Sequence, residues 1–339
     1  MRIEDFDYEL PSGLIAQTPI EPRDAARLLV DQGSSLPLHR HVKNFVEFCQ
    51  PGDVVVVNDT KVIPARLRLR RKSGGAAEVL LLEQSKTSPS SWEALIRPAK
   101  RLKVGEMLFA GDDSEIVRIG ERTESGDTFT VELSGQTHSE VESLLNKYGE
   151  MPLPPYIATR LDQPDRYQTV YANRPASAAA PTAGLHFTPR LISELKDARI
   201  KILTVDLTVG LDTFAPVTTP NPRDHPMHSE HYCVSQETLA ECRSATRVIA
   251  VGTTTTRALE SAATNSVLSG RTKIFISRGY EFKVVDLMLT NFHMPRTTLL
   301  MMIDAFVGSR WRDLYAGAIT ERYRMLSFGD AMLLNRHLD

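Results

Sequence analysis

Cysteine is nearly absent from this chain. Its 339 residues include three, Cys49, Cys233 and Cys242, an odd number with no Cys-x-x-Cys pair. That argues against a disulfide framework and a thiolate zinc site, and it fits reduced thiols in a cytoplasm. Long apolar runs are missing too: none approaches the ~20 residues of a membrane span. The N-terminal Met1-Arg-Ile-Glu-Asp-Phe-Asp7 is acidic and has no signal-peptide core. A soluble, cytoplasmic protein without membrane contact is expected. Excess charge is also lacking. The 40 basic and 42 acidic residues leave a formal net charge of −2, so nucleic-acid contact requires local basic patches. No internal repeat, low-complexity tract or linker long enough to be disordered occurs. The phosphate-binding spacing Gly-x-x-x-x-Gly-Lys is absent.

What is present is a chain long enough for two or three domains, with ordinary composition. Val54–Val57 is four consecutive valines, the pattern of a strand buried on both faces in an α/β sheet. The α/β rhythm resumes later, with strands expected at Ile200–Leu207, Arg247–Val251 and Asp330–Leu334. Helices are expected at His41–Phe48, Pro189–Ala198, Val234–Arg243, Thr256–Ser266, Thr298–Val307 and Trp311–Tyr323. Lys273–Ile276 and Phe282–Leu287 read as a strand pair around Arg278-Gly279. Between these parts, from Val62 to about Leu133, short β segments alternate with Gly, Ser and Asp clusters: Arg66–Arg70, Ala77–Leu82, Trp92–Ile96, Glu115–Ile119 and Thr128–Leu133. That rhythm suggests a small antiparallel β-barrel inserted into a larger α/β domain. The expected division is 1–61 with 150–339 for the α/β domain and 62–149 for the barrel, with Val54–Val57 in the same sheet as Arg247–Val251.

Four stretches carry the chemistry. In Ala178-Ala-Ala-Pro-Thr-Ala-Gly-Leu-His-Phe-Thr188, small residues permit close approach, Gly184 can take a positive φ, and His186 and Phe187 offer titration and stacking. Thr188 reads as the N-cap of a helix with Pro189 at its first position. A βα turn with His186 merely hydrogen-bonded in the core is the competing reading. Val248-Ile-Ala-Val-Gly-Thr-Thr-Thr-Thr-Arg257 is a strand, a turn and a helix start whose hydroxyls and free N–H groups suit a carboxylate or phosphate. Arg257 could pair with Glu260 on one helix face; an ordinary capped βα turn is the alternative. Met227-His-Ser-Glu-His-Tyr232 lacks the zincin spacing, so acid–base work or hydrogen bonding is favoured over a metal. Thr290-Asn-Phe-His-Met-Pro295 is a further polar–aromatic cluster, or a loop capped by Asn291. On the barrel, alternation sets Arg66, Arg68 and Arg70 on one face, and Arg97-Pro-Ala-Lys-Arg-Leu-Lys103 adds Lys100 and Arg101. Such a stripe is either a solvated face or a surface for a phosphate backbone.

Together these motifs resemble the S-adenosylmethionine:tRNA ribosyltransferase-isomerases of queuosine biosynthesis. The resemblance also runs through Asp5-Phe-Asp-Tyr-Glu-Leu-Pro11, Asn58-Asp-Thr-Lys-Val-Ile-Pro-Ala-Arg66, Leu153-Pro-Pro-Tyr-Ile157, Arg166-Tyr-Gln-Thr-Val-Tyr-Ala172 and Gly279-Tyr-Glu-Phe282. It implies a larger α/β domain with an inserted β-barrel. It also implies transfer and isomerisation of the ribosyl group of S-adenosylmethionine onto 7-aminomethyl-7-deazaguanine at the tRNA wobble position, giving epoxyqueuosine-tRNA, adenine and methionine. Such chemistry needs a base near the 5′ carbon, polar contacts to the departing adenine, and a neutral acceptor amine. Candidates for the acid–base work in the matching motifs are His186, His228, Glu230 and His293. Thr182, Gly184, Phe187, Gly252, Thr253, Thr254, Arg257 and Asn291 are the candidates for binding substrate. Arg66, Arg68, Arg70, Lys100 and Arg101 would meet tRNA. No metal or other cofactor is implied, since S-adenosylmethionine is a co-substrate, and a monomer is expected.

The chain departs from the family's usual pattern in places. Thr208-Val-Gly-Leu-Asp-Thr-Phe214 stands where the family usually has His-Val-Gly-x-Gly-Thr-Phe, so Thr208 replaces a histidine and Asp212 a glycine. Ser277-Arg278 stands for a usual Tyr-Pro, and Ala176 for a glycine. Two rival functions follow. A methyltransferase using S-adenosylmethionine would need a Gly-x-Gly turn after an early strand, and none follows Val54–Val57. A catalytically impaired, tRNA-binding relative is the other.

Overall fold

The structure, a computed structural model, describes residues 1–85, 87–124, 126–161, 163–177, 179–208, 216–225, 227 and 229–337. Two compact units divide the chain. One comprises Met1–Thr60, Pro154–Arg174 and Ala180–Asp339, and the other Lys61–Leu153 with Pro175–Ala179. The short returning segment Pro175–Ala179, and residues 150–153, therefore belong with the unit they were not expected to join.

The first unit is built on a nine-stranded sheet. Four adjacent strands form its parallel centre, in the order Lys201–Leu207, Val54–Asn58, Val248–Val251, Leu287–Asn291. Val54 pairs with Val248 and Val57 with Val251, the expected neighbours. Every residue of Val54–Asn58 is buried, because helices or turns cover both faces of a parallel sheet. On one face Val55, Val57, Ile249, Val251 and Leu289 meet Phe45, Phe187, Leu191 and Leu195. On the other face lies the helix Thr253–Asn265. The helix Pro189–Asp197 shows why these segments fold locally. Leu191 N–H donates to the Thr188 hydroxyl at 3.1 Å, Pro189 occupies the first turn, and Leu191 and Leu195 are fully buried one turn apart. Each buried leucine contributes roughly 1.5–3 kcal/mol of apolar transfer.

Several expectations on the sheet are corrected. His41–Phe48 is a 3₁₀ helix, Val42–Phe48, preceded by a polar edge strand, Ser35–His41. The helix expected from Thr256 begins at Thr253. Lys273–Ile276 and Phe282–Leu287 do not form a strand pair; the chain is irregular from residue 273 to 286, and its strands are Ser269–Thr272 and Leu287–Asn291. Glu260 holds that stretch. Its fully buried carboxylate accepts the N–H groups of Lys283, Val284 and Val285 at 2.9–3.1 Å and the Tyr280 hydroxyl at 3.0 Å. The backbone donors that a strand partner would satisfy are satisfied by one side chain.

The second unit is a closed antiparallel barrel of six strands. Arg66–Arg71, Ala76–Gln84, Ser91–Arg97, Phe129–Leu133, Glu115–Arg122 and Met107–Phe109 pair in that order, and the last closes on the first through Arg70 and Phe109. The closing strand, Met107–Phe109, was not expected; at three residues it is too short to show an alternation. Leu67, Val79, Leu81, Ala94, Val117 and Val131 fill the interior.

Among the described residues no helix is long and apolar enough to cross a membrane, and all three cysteines are free.

Candidate active site

Parallel sheets present their ligand crevices at the carboxyl ends of their strands. Here those ends are Asn58, Leu207, Val251 and Asn291. After Val251 the chain turns at Gly252, whose φ of 93° disfavours any other residue, and enters the helix Thr253–Asn265. Among the described residues no side chain caps this helix, so its first N–H groups can meet a ligand. The four threonines split in two. Thr255 and Thr256 hydroxyls bond back to the carbonyls of Val251 (2.7 Å) and Gly252 (3.2 Å). Thr253 and Thr254 line a cleft of about 350 Å³ with Ala180, Thr182, Thr290, Asn291 and His293. The buried Thr254 hydroxyl has no hydrogen-bond partner among the described residues.

Arg257 does not pair with Glu260. Its guanidinium meets Glu230, and both are buried. The reason is a strand the sequence did not reveal: Glu230–Val234 runs antiparallel to Lys201–Leu207 and sets Glu230 opposite Thr272, beside the helix. The Arg257 Nε and Nη2 find no partner among the described residues. His228 lies outside the described residues.

Asn291 is the junction. Its amide nitrogen donates to His186 Nε2 at 3.0 Å and its oxygen accepts from the Thr182 hydroxyl at 3.2 Å. His186 opens instead on a neighbouring cleft of about 260 Å³, with Arg23, Arg166 and Ser327. A third cleft, of about 280 Å³, shares Thr182, Asn291 and His293 with the first and Ser327 with the second. Burial pushes the His186 imidazole down to about 4, helped by the positive charge of Arg324. Desolvation is thus the main cause of its neutrality. His293 is held on both sides of its backbone, its N–H donating to Tyr315 Oη (3.0 Å) and its carbonyl accepting from Tyr8 Oη (2.6 Å). Its ring lies 3.0 Å from Thr290 Oγ1, and burial pushes it down to about 3.

Two candidates take other roles. Phe187 is fully buried, edge-on to Phe45 and Tyr171 at 6.0 Å between centroids, so it is a core ring and not a stacking platform. Gly184 has no positive φ. It is needed because a Cβ there would fall 2.0 Å from the Tyr171 hydroxyl.

The queuosine biosynthesis protein family matches residues 3–334. An S-adenosylmethionine:tRNA ribosyltransferase-isomerase from Moorella thermoacetica is 50% identical over 346 aligned positions, taking in 98% of this chain and 100% of that protein. One from Staphylococcus aureus is 46% identical with the same coverage. The chain belongs to this ribosyltransferase-isomerase family. A crystal structure of an S-adenosylmethionine tRNA ribosyltransferase from Thermotoga maritima aligns with a TM-score of 0.54 and 35% identity, over 97% of this chain and 99% of that one.

Within this family member, the departure at Arg278 has a structural account: its guanidinium pairs with the buried Asp304 at 2.8 and 3.1 Å. Asp212 lies outside the described residues. The barrel's arginines share one face as expected, with Leu67 and Leu69 inward, but two of the three already face carboxylates. Arg68 pairs with Glu150 at 2.9 Å, Arg70 with Asp113, and Arg66 donates to the Leu153 carbonyl at 3.2 Å. Lys100 and Arg101 are exposed. Among the described residues no group of three or more His, Cys, Asp or Glu is placed to hold a metal ion.

Proposed function

We propose that the chain transfers and isomerises the ribosyl group of S-adenosylmethionine onto 7-aminomethyl-7-deazaguanine at the wobble position of a tRNA, releasing adenine and methionine and leaving epoxyqueuosine-tRNA. The observation that carries this reading is the full-length match to the family, joined to a cleft whose walls come from the matching motifs: Thr182, Thr253, Thr254, Asn291 and His293. The relatives' names support the enzyme and not an impaired RNA-binding relative.

The cleft's chemistry supports a division of roles. The N–H groups at the start of the Thr253–Asn265 helix, with a Thr254 hydroxyl that has no partner among the described residues, suit the α-carboxylate of the methionyl group. Gly252 leaves room for it to approach the backbone. Arg257, neutralised by Glu230, fixes the helix from beneath and adds N–H donors to the buried polar network. The Asn291 oxygen, which takes one bond from Thr182, suits the exocyclic amino group of the departing adenine, and His293 lines the same cleft; the Asn291 amide hydrogens are held by His186 and by the Leu326 and Asp330 carbonyls. His186 and His293 are neutral at pH 7, as a hydrogen-bond acceptor must be. Values of about 4 and 3 make them weak bases, because a general base works best near the operating pH. Lys100 and Arg101 meet RNA phosphates.

The reading makes S-adenosylmethionine a co-substrate and calls for no metal or redox cofactor, since the reaction is a group transfer with adenine and methionine leaving. It places the chain in the cytoplasm as a monomer. The test is incubation with S-adenosylmethionine and a precursor-containing anticodon stem-loop, followed by chromatography and mass spectrometry. Adenine, methionine and a mass-shifted RNA are expected; none of the three after prolonged incubation refutes the proposal.

A further inference from the structure

The proposed reaction needs a group that takes a proton, and the two buried histidines are poorly matched to that task. A separate cluster is better matched. It lies at the carboxyl ends of two adjacent central strands, beside the strand that leads to Gly252. Asp59 follows Val54–Asn58, and its N–H donates to the Val205 carbonyl at 3.1 Å. The Asn58 side chain brackets Leu207, donating to its carbonyl at 2.9 Å and accepting its N–H at 3.2 Å. The strand end carrying Asp206 is thereby locked to the strand end carrying Asp59. The Asp59 carbonyl in turn accepts the N–H groups of Asn173 (2.8 Å) and Arg174 (3.4 Å), and the Arg174 guanidinium pairs with Asp206 Oδ2.

Asp206 is 7% exposed, and its second oxygen, Oδ1, has no hydrogen-bond partner among the described residues. Buried carboxylate oxygens are rarely left so, and a ligand donor is the natural complement. The buried Tyr171 hydroxyl, which feels the Asp59 charge, is without a partner as well. An acceptor oxygen is thus open beside one arginine. We propose that Asp206, held by Arg174 and flanked by Asp59, is the proton acceptor for the aminomethyl ammonium of the RNA substrate. The N–H bond of the ammonium breaks, its electron pair stays on nitrogen as the nucleophile, and the proton forms an O–H bond on Asp206 Oδ1. This assignment rests on the proposed reaction.

Asp206 also suits the task electrostatically. Burial raises its carboxyl above the ordinary range, while Arg174 and then the His231 imidazole oppose that rise. The neighbouring Asp59 is raised by burial and by the charge of Asp206. A carboxylate lifted toward neutral pH is a stronger base than an ordinary one. Thr208, two residues on, has no group that titrates near neutral pH.

The experiment compares wild type, Asp206→Asn, Asp206→Glu and Arg174→Gln on the precursor stem-loop between pH 5.5 and 9, with RNA affinity measured separately. Asp206→Asn should lower kcat by about 100-fold or more, with RNA Kd changed by less than about threefold. Its residual rate should climb with pH as solvent deprotonates the amine, where the wild-type rate has levelled off. Asp206→Glu should recover at least a tenth of the wild-type rate. Arg174→Gln removes a positive charge, so the acid limb of the rate profile should move to higher pH; this variant decides the matter if Asp206→Asn does not fold. An Asp206→Asn protein within threefold of wild type at pH 7, or an acid limb unmoved in Arg174→Gln, overturns the assignment. Wild type that releases no adenine would instead sink the proposed reaction itself.

Discussion

Acid should loosen the α/β unit through His186, and the size of the effect follows from its surroundings. The ring is buried, with its Nε2 accepting from Asn291 at 3.0 Å, and burial followed by the Arg324 charge pushes it from 6.5 to about 4. The sign is set by which state binds the proton. Between pH 6.5 and 4 the unfolded imidazole is charged and the folded one is not, so stability falls as pH falls through that window. At about 1.4 kcal/mol per pKa unit the full linkage is about 3 kcal/mol, of which about 2 kcal/mol develops between pH 7 and pH 5. His293, pushed from 6.5 to about 3 by burial, adds a similar loss over the same interval. The assay is urea unfolding at pH 7 and pH 5. Of the two tryptophans, Trp311 lies in the α/β unit and Trp92 in the barrel, so a Trp92→Phe background makes the fluorescence report the α/β unit alone. In that background His186→Asn should lose about 2 kcal/mol less than the parent between the two pH values. Groups common to both proteins cancel in the comparison. Equal losses in parent and variant would show that the His186 ring is not held neutral, and the desolvation argument would fail.

Three further outcomes follow from particular contacts. Gly184→Ala should destabilise by about 1–3 kcal/mol, because its Cβ would fall 2.0 Å from the Tyr171 hydroxyl, and Tyr171→Phe should return part of that loss in thermal unfolding. No relief in the double variant would mean that the clash is relaxed elsewhere. Thr254→Val should leave stability unchanged, since the hydroxyl has no partner among the described residues, yet weaken S-adenosylmethionine binding by about 2–10-fold in calorimetry; unchanged affinity removes Thr254 from the site. In RNA affinity measured against salt, Lys100→Ala with Arg101→Ala should lower the slope by about 0.7 per lost phosphate contact. Arg68→Ala with Arg70→Ala should lower it less, because those guanidiniums already face Glu150 and Asp113. The reverse order would return the arginine stripe to the RNA surface.

What was legible in the chain depended on whether the cause of a structure lies close by in sequence. Val54–Val57 announces a doubly buried strand because its own four side chains carry the signal, and Thr188 with Pro189 announces a helix start because the cap and its N–H are three residues apart. Glu230–Val234 and Ser269–Thr272 stayed hidden because they are polar and owe their existence to one another across the sheet. Phe282–Leu287 misled for the opposite reason: its residues favour a strand, but Glu260 satisfies its backbone first. The same rule sorts the site. Gly252-Thr-Thr carries its turn and its helix start in consecutive residues, so that local geometry could be read directly. Arg257 was given the wrong carboxylate because the nearest acid in sequence is not the nearest in space once Glu230 is brought beside the helix. Asp206 could not be singled out at all. A lone carboxylate in a strand matches no motif, and its meaning comes from Asp59 and Arg174, which two other segments deliver to the same sheet edge. One local signal existed: Asp206 is the single ionisable residue within the otherwise apolar or hydroxyl-bearing run Ile202–Thr208, ahead of the position where the family usually has histidine. A charge kept inside a central strand, where solvent cannot stabilise it, needs a partner or a task. Arg174 supplies the partner for one oxygen, and the other oxygen is what points to the task.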